Sequence, residues 1–161
     1  MKTRHLKPTQ IITLNDYPLY SNRVFGEYLE RCQSGDDLPY VPVIHWDVVR
    51  PYLGADLARV LEAFEKQHPD ATYFMLDGSH RTTALTFVGR DIAVVLYEAD
   101  ADIVEARAHV ASGQILLNGT LDHTLTENCE ILRRHFEEQP TFITVLDKTE
   151  RLIREGLIPV H

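Results

Sequence analysis

The sequence predicts a compact α/β or α+β domain, because short strand candidates alternate with amphipathic helix candidates along its 161 residues. Residues 72–76 read T-Y-F-M-L, and β-branched and aromatic residues favour a strand. Residues 91–98 read D-I-A-V-V-L-Y-E, a mostly apolar run that is typical of a strand covered on both faces. A chain of about 150 residues buries roughly 70% of its unfolded surface, so residues 1–161 are expected to form one domain.

Before the 72–76 strand, the pattern predicts two further strands and two helices. Residues 10–14 and 41–46 are the strand candidates, and Pro42 confines the second to a sheet edge or to the start of a strand. The first helix follows a turn at 15–18 and is capped by Ser21 or Asn22. The second begins after Gly54, ends at His68 and has apolar residues at i, i+3, i+4 and i+7: Leu57, Val60, Leu61 and Phe64.

After residue 98, the pattern predicts three more helices. Asp100 caps the first, and residues 124–127 form a capping box at the start of the second. The third covers 144–155, and three of its basic side chains are expected to be exposed: Lys148, Arg151 and Arg154. The last two helices are expected to form an amphipathic pair in a helical extension, residues 99–161, that either covers the sheet or makes a homodimer.

The stretch D-G-S-H-R-T-T-A-L, residues 77–85, joins the 72–76 strand to a helix predicted over 82–88. Gly78 permits a backbone conformation that a side chain obstructs, so successive amides can converge at the helix start. Unpaired amides and the positive end of a helix dipole attract phosphate or carboxylate groups. Arg81 adds a bidentate contact, and three residues add hydroxyls: Ser79, Thr82 and Thr83. The stretch therefore predicts an anion-binding turn.

A purely structural interpretation of this stretch is also open. In that interpretation Asp77 or Ser79 only caps the helix, Arg81 pairs with a surface carboxylate and His80 packs.

With the run G-R-D-I-A-V-V-L that follows it, the stretch resembles the G-x-H-R-x-x-A motif of the ParB and sulfiredoxin superfamily. The upstream pieces follow the order of elements in that family's nucleotide-binding domain: residues 11–14, Tyr17-Pro18, Arg23 and residues 42–44. The resemblance covers residues 10–98 and implies a small mixed sheet flanked by helices, with a nucleotide at the motif. It also implies a ligand contact for Arg23, because relatives often carry an arginine near this point; otherwise Arg23 is simply exposed.

The sequence departs from each active branch of that superfamily. Sulfiredoxins carry their catalytic cysteine where Ser79 stands, so sulfiredoxin activity is not expected. Free serine kinases use a glutamate just after the proline that Pro18 matches, and this chain has Leu19 and Tyr20 there. Chromosome-partitioning relatives have an acidic, more arginine-rich motif, followed by a helix-turn-helix domain. In this chain the motif has one arginine, and only 63 residues follow Glu98.

Charge and cysteine content narrow the expected partners and location. The chain has 24 acidic and 16 basic residues, a net charge of −8, whereas DNA affinity relies on clustered Lys and Arg. Nucleic acid is therefore not an expected partner. Cys32 and Cys129 lie far apart in the sequence and suit reduced thiols in the cytoplasm. No apolar run approaches the roughly 18 residues of a membrane helix.

The expected function is the binding of a nucleotide or another phosphorylated small molecule at Gly78, with ATP or another nucleoside triphosphate and Mg²⁺ as candidate cofactors. The candidate phosphate ligands are Arg23, Gly78, Ser79, His80, Arg81 and Thr82. Asp77 and His80 are the candidate catalytic residues for phosphoryl transfer or nucleotide hydrolysis, and an anchoring role explains Asp77 equally well. The alternative is a non-catalytic regulatory or DNA-associated module of the same fold.

Overall fold

The computed structural model describes residues 1–14, 19 and 21–158, and this part of the chain contains six strands and seven α-helices. The strands are β1 Thr3–Leu6, β2 Ile11–Thr13, β3 Val41–His45, β4 Tyr73–Met75, β5 Ile92–Leu96 and β6 Ile143–Thr144. The helices are α1 Asn22–Gln33, α2 Trp46–Val49, α3 Ala55–Gln67, α4 Ser79–Phe87, α5 Asp100–Ala108, α6 Leu125–Glu138 and α7 Val145–Arg154. The turn predicted at 15–18 lies outside the described residues.

The six strands form one mixed sheet in the order β1-β5-β3-β4-β2-β6. β2 runs parallel to β4 and β3 runs parallel to β5, whereas the other neighbours are antiparallel. The carboxyl ends of β2 and β4 therefore meet at one edge of the sheet, and β3 begins beside them. The chain leaves β4 at this edge and enters the predicted anion-binding turn.

Side chains of the central strands alternate between two buried clusters, because successive residues of a strand point to opposite faces of a sheet. On β4, Tyr73 and Met75 belong to one cluster and Phe74 belongs to the other. Helices α1, α4 and α7 bury apolar residues in the first cluster, and α3, α5 and α6 bury theirs in the second. The predicted mixed architecture is confirmed as a sheet with helices on both faces.

The last two helices do not form the expected amphipathic pair. Leu132 and Phe136 of α6 lie in one cluster, whereas Val145 and Leu152 of α7 lie in the other. The chain passes between the two faces through β6, which pairs antiparallel with β2 and has only two residues. Each helix covers its own face of the sheet. Among the described helices, none has the length and apolar character needed to cross a membrane.

Helix α4 begins at Ser79 rather than Thr82, because the left-handed Gly78 turns the chain directly into the helix. Of the two positions predicted for Pro42, the structure shows a strand start, because Pro42 is the second residue of the central strand β3. Its missing N–H costs little at a strand start, and its carbonyl oxygen accepts from the N–H of Leu76 at 3.0 Å.

The start of α5 also differs from the prediction. Ala99 is the N-cap residue, and the carboxylate of Asp102 accepts hydrogen bonds from the N–H groups of Glu98 and Ala99, both at 2.8 Å. Asp100, the predicted cap, accepts instead from the N–H of Leu125 at the start of α6, at 2.8 Å. A carboxylate near a helix start serves whichever first-turn amide the tertiary structure brings to it.

Candidate functional site

The segment from Asp77 to Arg81, here called the Gly78 turn, carries the chain from β4 into α4. Gly78 has φ 113° and ψ 31°, a conformation that residues with a side chain rarely adopt. A Cβ atom on Gly78 would lie 3.2 Å from Nη2 of Arg81 and 3.3 Å from Cγ2 of Val41. The positive φ therefore favours glycine and the close contacts leave little room for a side chain, which confirms the backbone conformation predicted for Gly78.

The start of α4 keeps the donors that an anion site needs. The N-cap residue of this helix of nine residues is Gly78, which has no side chain with which to cap the first turn. First-turn N–H groups have no acceptor within their own helix, and the helix dipole places a partial positive charge there. Ser79, the first residue of α4, is partly exposed. The first-turn amides and the positive end of the helix dipole therefore lie together at the carboxyl end of β4.

Arg81 is engaged by the protein itself. Its side chain is 2% exposed. Nη1 donates to the carbonyl oxygens of Pro39 and Tyr40, each at 3.0 Å, and Nη2 donates to Oδ2 of Asp77 at 3.0 Å. Burial lowers the pKa of the guanidinium, and the Asp77 carboxylate opposes that effect. The guanidinium thereby fixes the Gly78 turn to the segment that precedes β3. Nη1 and Nη2, which a bidentate phosphate contact would require, both donate to protein acceptors.

The threonine hydroxyls at the start of α4 also point into the protein. Oγ1 of Thr82 donates to the carbonyl oxygen of Gly78 at 2.9 Å, and Oγ1 of Thr83 donates to that of Ser79 at 2.7 Å. Such bonds to a preceding turn are typical of Ser and Thr within helices. Of the three predicted hydroxyl ligands, only that of Ser79 makes no hydrogen bond to another described residue.

His80 and Lys148 are buried polar residues behind the Gly78 turn. Their exposed fractions are 6% and 4%. Burial lowers the pKa of His80, the Lys148 ammonium lowers it further, and the Asp77 carboxylate opposes both effects. The imidazole is therefore neutral at pH 7. Nζ of Lys148 donates to the carbonyl oxygen of Leu14, at 3.1 Å, just beyond the end of β2. A positive charge thus lies at the same sheet edge as the Gly78 turn.

Lys148 is buried, whereas the sequence predicts it on the exposed face of its helix. The buried residues of α7 are Val145, Lys148, Thr149 and Leu152. Their spacing of i, i+3, i+4 and i+7 is that of a helix face turned to the core. The spacing was visible in the sequence, but a lysine within it was assigned to solvent because lysines are almost never fully buried. Arg151 and Arg154 are exposed as predicted.

Arg23 is an exposed residue in the first turn of α1, which Ser21 caps by accepting from the N–H of Val24 at 3.2 Å. The Arg23 side chain is 77% exposed, and its Nη1 lies 2.7 Å from Oε1 of Glu27. Helix α1 packs against α4. Among the described residues, no hydrogen bond or ion pair links Arg23 to the Gly78 turn.

Two concave regions lie near the turn. The Asp77 pocket, of about 260 Å³, lies on the α6 side and its lining includes Leu14, Asp77, Asn118, Thr120, His123 and His135. The Tyr40 cavity, of about 510 Å³, is lined in part by residues 37–40 and by Arg90. The sequence-predicted turn adjoins the smaller region. Residues from separate parts of the chain line the Tyr40 cavity, so no local sequence motif indicates it. In the described part of the chain, no three His, Cys, Asp or Glu side chains are placed to hold a metal ion.

Replacement of Arg81 tests its role in fixing the turn. Arg81→Ala leaves the Asp77 carboxylate and two carbonyl groups without their donor, and we expect a loss of about 1–3 kcal/mol in the free energy of unfolding. Arg59→Ala is the matched control, because Arg59 pairs with Asp56 on the exposed surface of α3 and should cost no more than about 0.5 kcal/mol. Urea denaturation measures both, and equal losses would contradict the structural role.

The buried imidazole of His80 should make stability depend on pH. The unfolded chain binds a proton near pH 6.5, whereas folded His80, with its lowered pKa, does so only at lower pH. The stability due to neutral His80 is therefore present above about pH 6.5 and is lost as the pH falls through and below that value. We expect urea denaturation to show a smaller loss between pH 7.5 and pH 5.5 for His80→Gln than for the wild type. An equal loss in the two proteins would count against a buried, neutral His80.

No protein-family model, curated protein or solved structure matches this chain. The resemblance to the ParB and sulfiredoxin superfamily therefore rests on the motif at residues 77–85 and the order of the elements before it.

Proposed function

We propose that the protein binds a nucleotide or another phosphorylated small molecule at the Gly78 turn. The observation that carries this proposal is that α4 begins at a left-handed glycine where β2 and β4 end, beside the Asp77 pocket. Helix N-termini bind phosphate through their first-turn amides, and ligands of α/β proteins lie beyond the carboxyl ends of strands. The amides of Ser79 to Arg81 are the proposed phosphate donors.

The local charges support an anionic ligand although the net charge of the chain is −8. Asp77 precedes the helix start by two residues, and Arg81 pairs with its carboxylate at 3.0 Å. The Lys148 ammonium lies at the end of β2, where it donates to the carbonyl oxygen of Leu14. In a buried setting such charges act with little screening by salt. The two cations and the helix dipole support an anionic ligand at the start of α4.

The Asp77 pocket provides room for the organic part of the ligand. Apolar side chains such as Leu76, Ile131 and Leu132 line it together with the polar Asn118 and His123. Its volume of about 260 Å³ is below the roughly 300–1,000 Å³ of pockets that enclose a whole ligand. It therefore suits one ring system, such as a nucleobase, while the phosphate stays at the open start of α4.

Phosphoryl transfer or nucleotide hydrolysis is the chemistry proposed for this ligand if turnover occurs. The Asp77 side chain is 40% exposed, so it remains accessible as a proton acceptor or a Mg²⁺ ligand. Binding without turnover is the second candidate. It is favoured by the engagement of Arg81 with protein acceptors, which withdraws that guanidinium from stabilising transition-state charge.

A cytoplasmic location is part of the proposal, because Cys32 and Cys129 are free thiols buried on opposite faces of the sheet.

A charge placed at the first residue of α4 tests the proposal. Ser79→Asp puts a carboxylate where it satisfies the helix dipole but repels a bound anion. We expect ATP or inorganic phosphate, with and without Mg²⁺, to raise the melting temperature of the wild type. A ligand at 100 times its Kd adds about 2.7 kcal/mol of stability. Ser79→Asp should lose most of this shift, while the variant without ligand melts no lower than the wild type. Ser79→Asn, whose side chain has the size of aspartate but no charge, should keep the shift.

Two outcomes of the melting experiment decide against the proposal. If no phosphorylated compound stabilises the folded wild type, the turn is not a phosphate site. If all three proteins respond equally, the ligand binds elsewhere. Phosphate release from ATP by the wild type and by Asp77→Asn then separates the two candidates, because a binding protein shows no release that depends on Asp77.

A further inference from the structure

The Tyr40 cavity brings together four charged side chains of both signs. Arg31, Arg90, Asp37 and Asp91 all line it. None of the four makes an ion pair with another described residue, whereas six other arginines of that part of the chain do so. Two arginines and two aspartates therefore line one cavity, and no ion pair joins any two of them.

The two arginines are held in place by main-chain groups. Nη1 of Arg90 donates to the carbonyl oxygen of Asp36 at 2.9 Å and to that of Cys32 at 3.3 Å, and Nη2 of Arg31 donates to that of Asp37 at 3.1 Å. Arg31 belongs to the last turn of α1, and Arg90 contacts the carbonyl oxygen of Cys32 in the same turn, so both guanidiniums lie near the end of that helix. Burial raises the pKa of the Cys32 thiol, and both guanidiniums oppose that rise. Each guanidinium keeps further N–H donors, because arginine has five.

The cavity is a preformed space of ligand size. Its volume of about 510 Å³ falls within the roughly 300–1,000 Å³ of small-molecule sites. Leu38, Pro39 and Leu85 give it an apolar wall. That wall is fixed, because Arg81 binds the carbonyl oxygens of Pro39 and Tyr40 and because the N–H of Tyr40 donates to the carbonyl oxygen of Gln114 at 2.9 Å.

We propose that the Tyr40 cavity binds a small organic acid that carries several hydroxyl groups. The carboxylate would lie between Arg31 and Arg90, whose planar donors match its two oxygens. The hydroxyl groups would donate to Asp37 and Asp91. A simple fatty acid satisfies only the arginines and a neutral polyol satisfies only the aspartates, so the lining selects a molecule with both features. This site is separate from the Gly78 turn, and either site can exist without the other.

Three six-carbon probes separate the two requirements in isothermal titration calorimetry. Gluconate has a carboxylate and hydroxyl groups, hexanoate lacks the hydroxyl groups and sorbitol lacks the carboxylate. We expect the wild type to bind gluconate more tightly than either of the others. Arg31→Gln should weaken gluconate binding about tenfold or more, because hydrogen bonds to charged groups contribute about 1.5–3 kcal/mol. Arg59→Gln makes the same charge change on the exposed face of α3 and should leave the affinity unchanged.

The proposal is overturned if the folded wild type does not bind gluconate, or if Arg31→Gln binds it as tightly as the wild type does. Equal affinities for gluconate and either of the other probes would also overturn it. Ser79→Asp should bind gluconate with wild-type affinity. If that variant loses gluconate while Arg31→Gln retains it, the anion binds at the Gly78 turn and the cavity is not the site. Loss of phosphate binding in Ser79→Asp with gluconate binding retained supports both sites.

Discussion

The buried guanidinium of Arg81 is the contact on which the rest of the candidate site depends. It joins the Asp77 carboxylate after β4 to two carbonyl groups before β3, all at 3.0 Å. Three elements therefore meet around one cation: the end of β4, the start of β3 and the first turn of α4. The guanidinium is buried whereas the Asp77 carboxylate is 40% exposed, so the cost of removing the arginine from water offsets much of their attraction. The contact fixes where the Gly78 turn and the start of α4 lie relative to β3.

The fold was predictable wherever a short stretch of sequence carries its own signal. β4 and β5 are apolar runs, and the Thr124 and Glu127 capping box gave the start of α6. β1 and β6 were missed, since one is an edge strand with three exposed residues and the other has two residues. Their strand conformation comes from pairing with β5 and β2. An amphipathic stripe shows that a helix face is buried but not against which surface. The sequence therefore could not predict that α6 and α7 pack on opposite faces of the sheet.

The location of the candidate site was predictable, but the roles of its side chains were only partly so. Gly78 could be predicted because a positive φ is a local property of the chain. Two of the three acceptors of Arg81 lie 41 and 42 residues earlier in the sequence, so the motif does not reveal that this guanidinium holds the turn. Lys148 shows the converse. Its spacing from Val145 and Leu152 predicts a buried position, but a lysine is normally expected at the surface. Sequence patterns locate polar groups more reliably than they identify their partners.

The central claim is that the first-turn amides of α4 hold a phosphate group, and amide chemical shifts of ¹⁵N-labelled protein test it most directly. Titration with inorganic phosphate should shift the Ser79, His80 and Arg81 amides saturably and leave those of Asn118 and Ile131, on the far wall of the Asp77 pocket, unchanged. ATP should shift the same amides and, in addition, that of Asn118 in the pocket. Saturable shifts confined to other parts of the chain, or no saturable shift with either compound, would contradict the account.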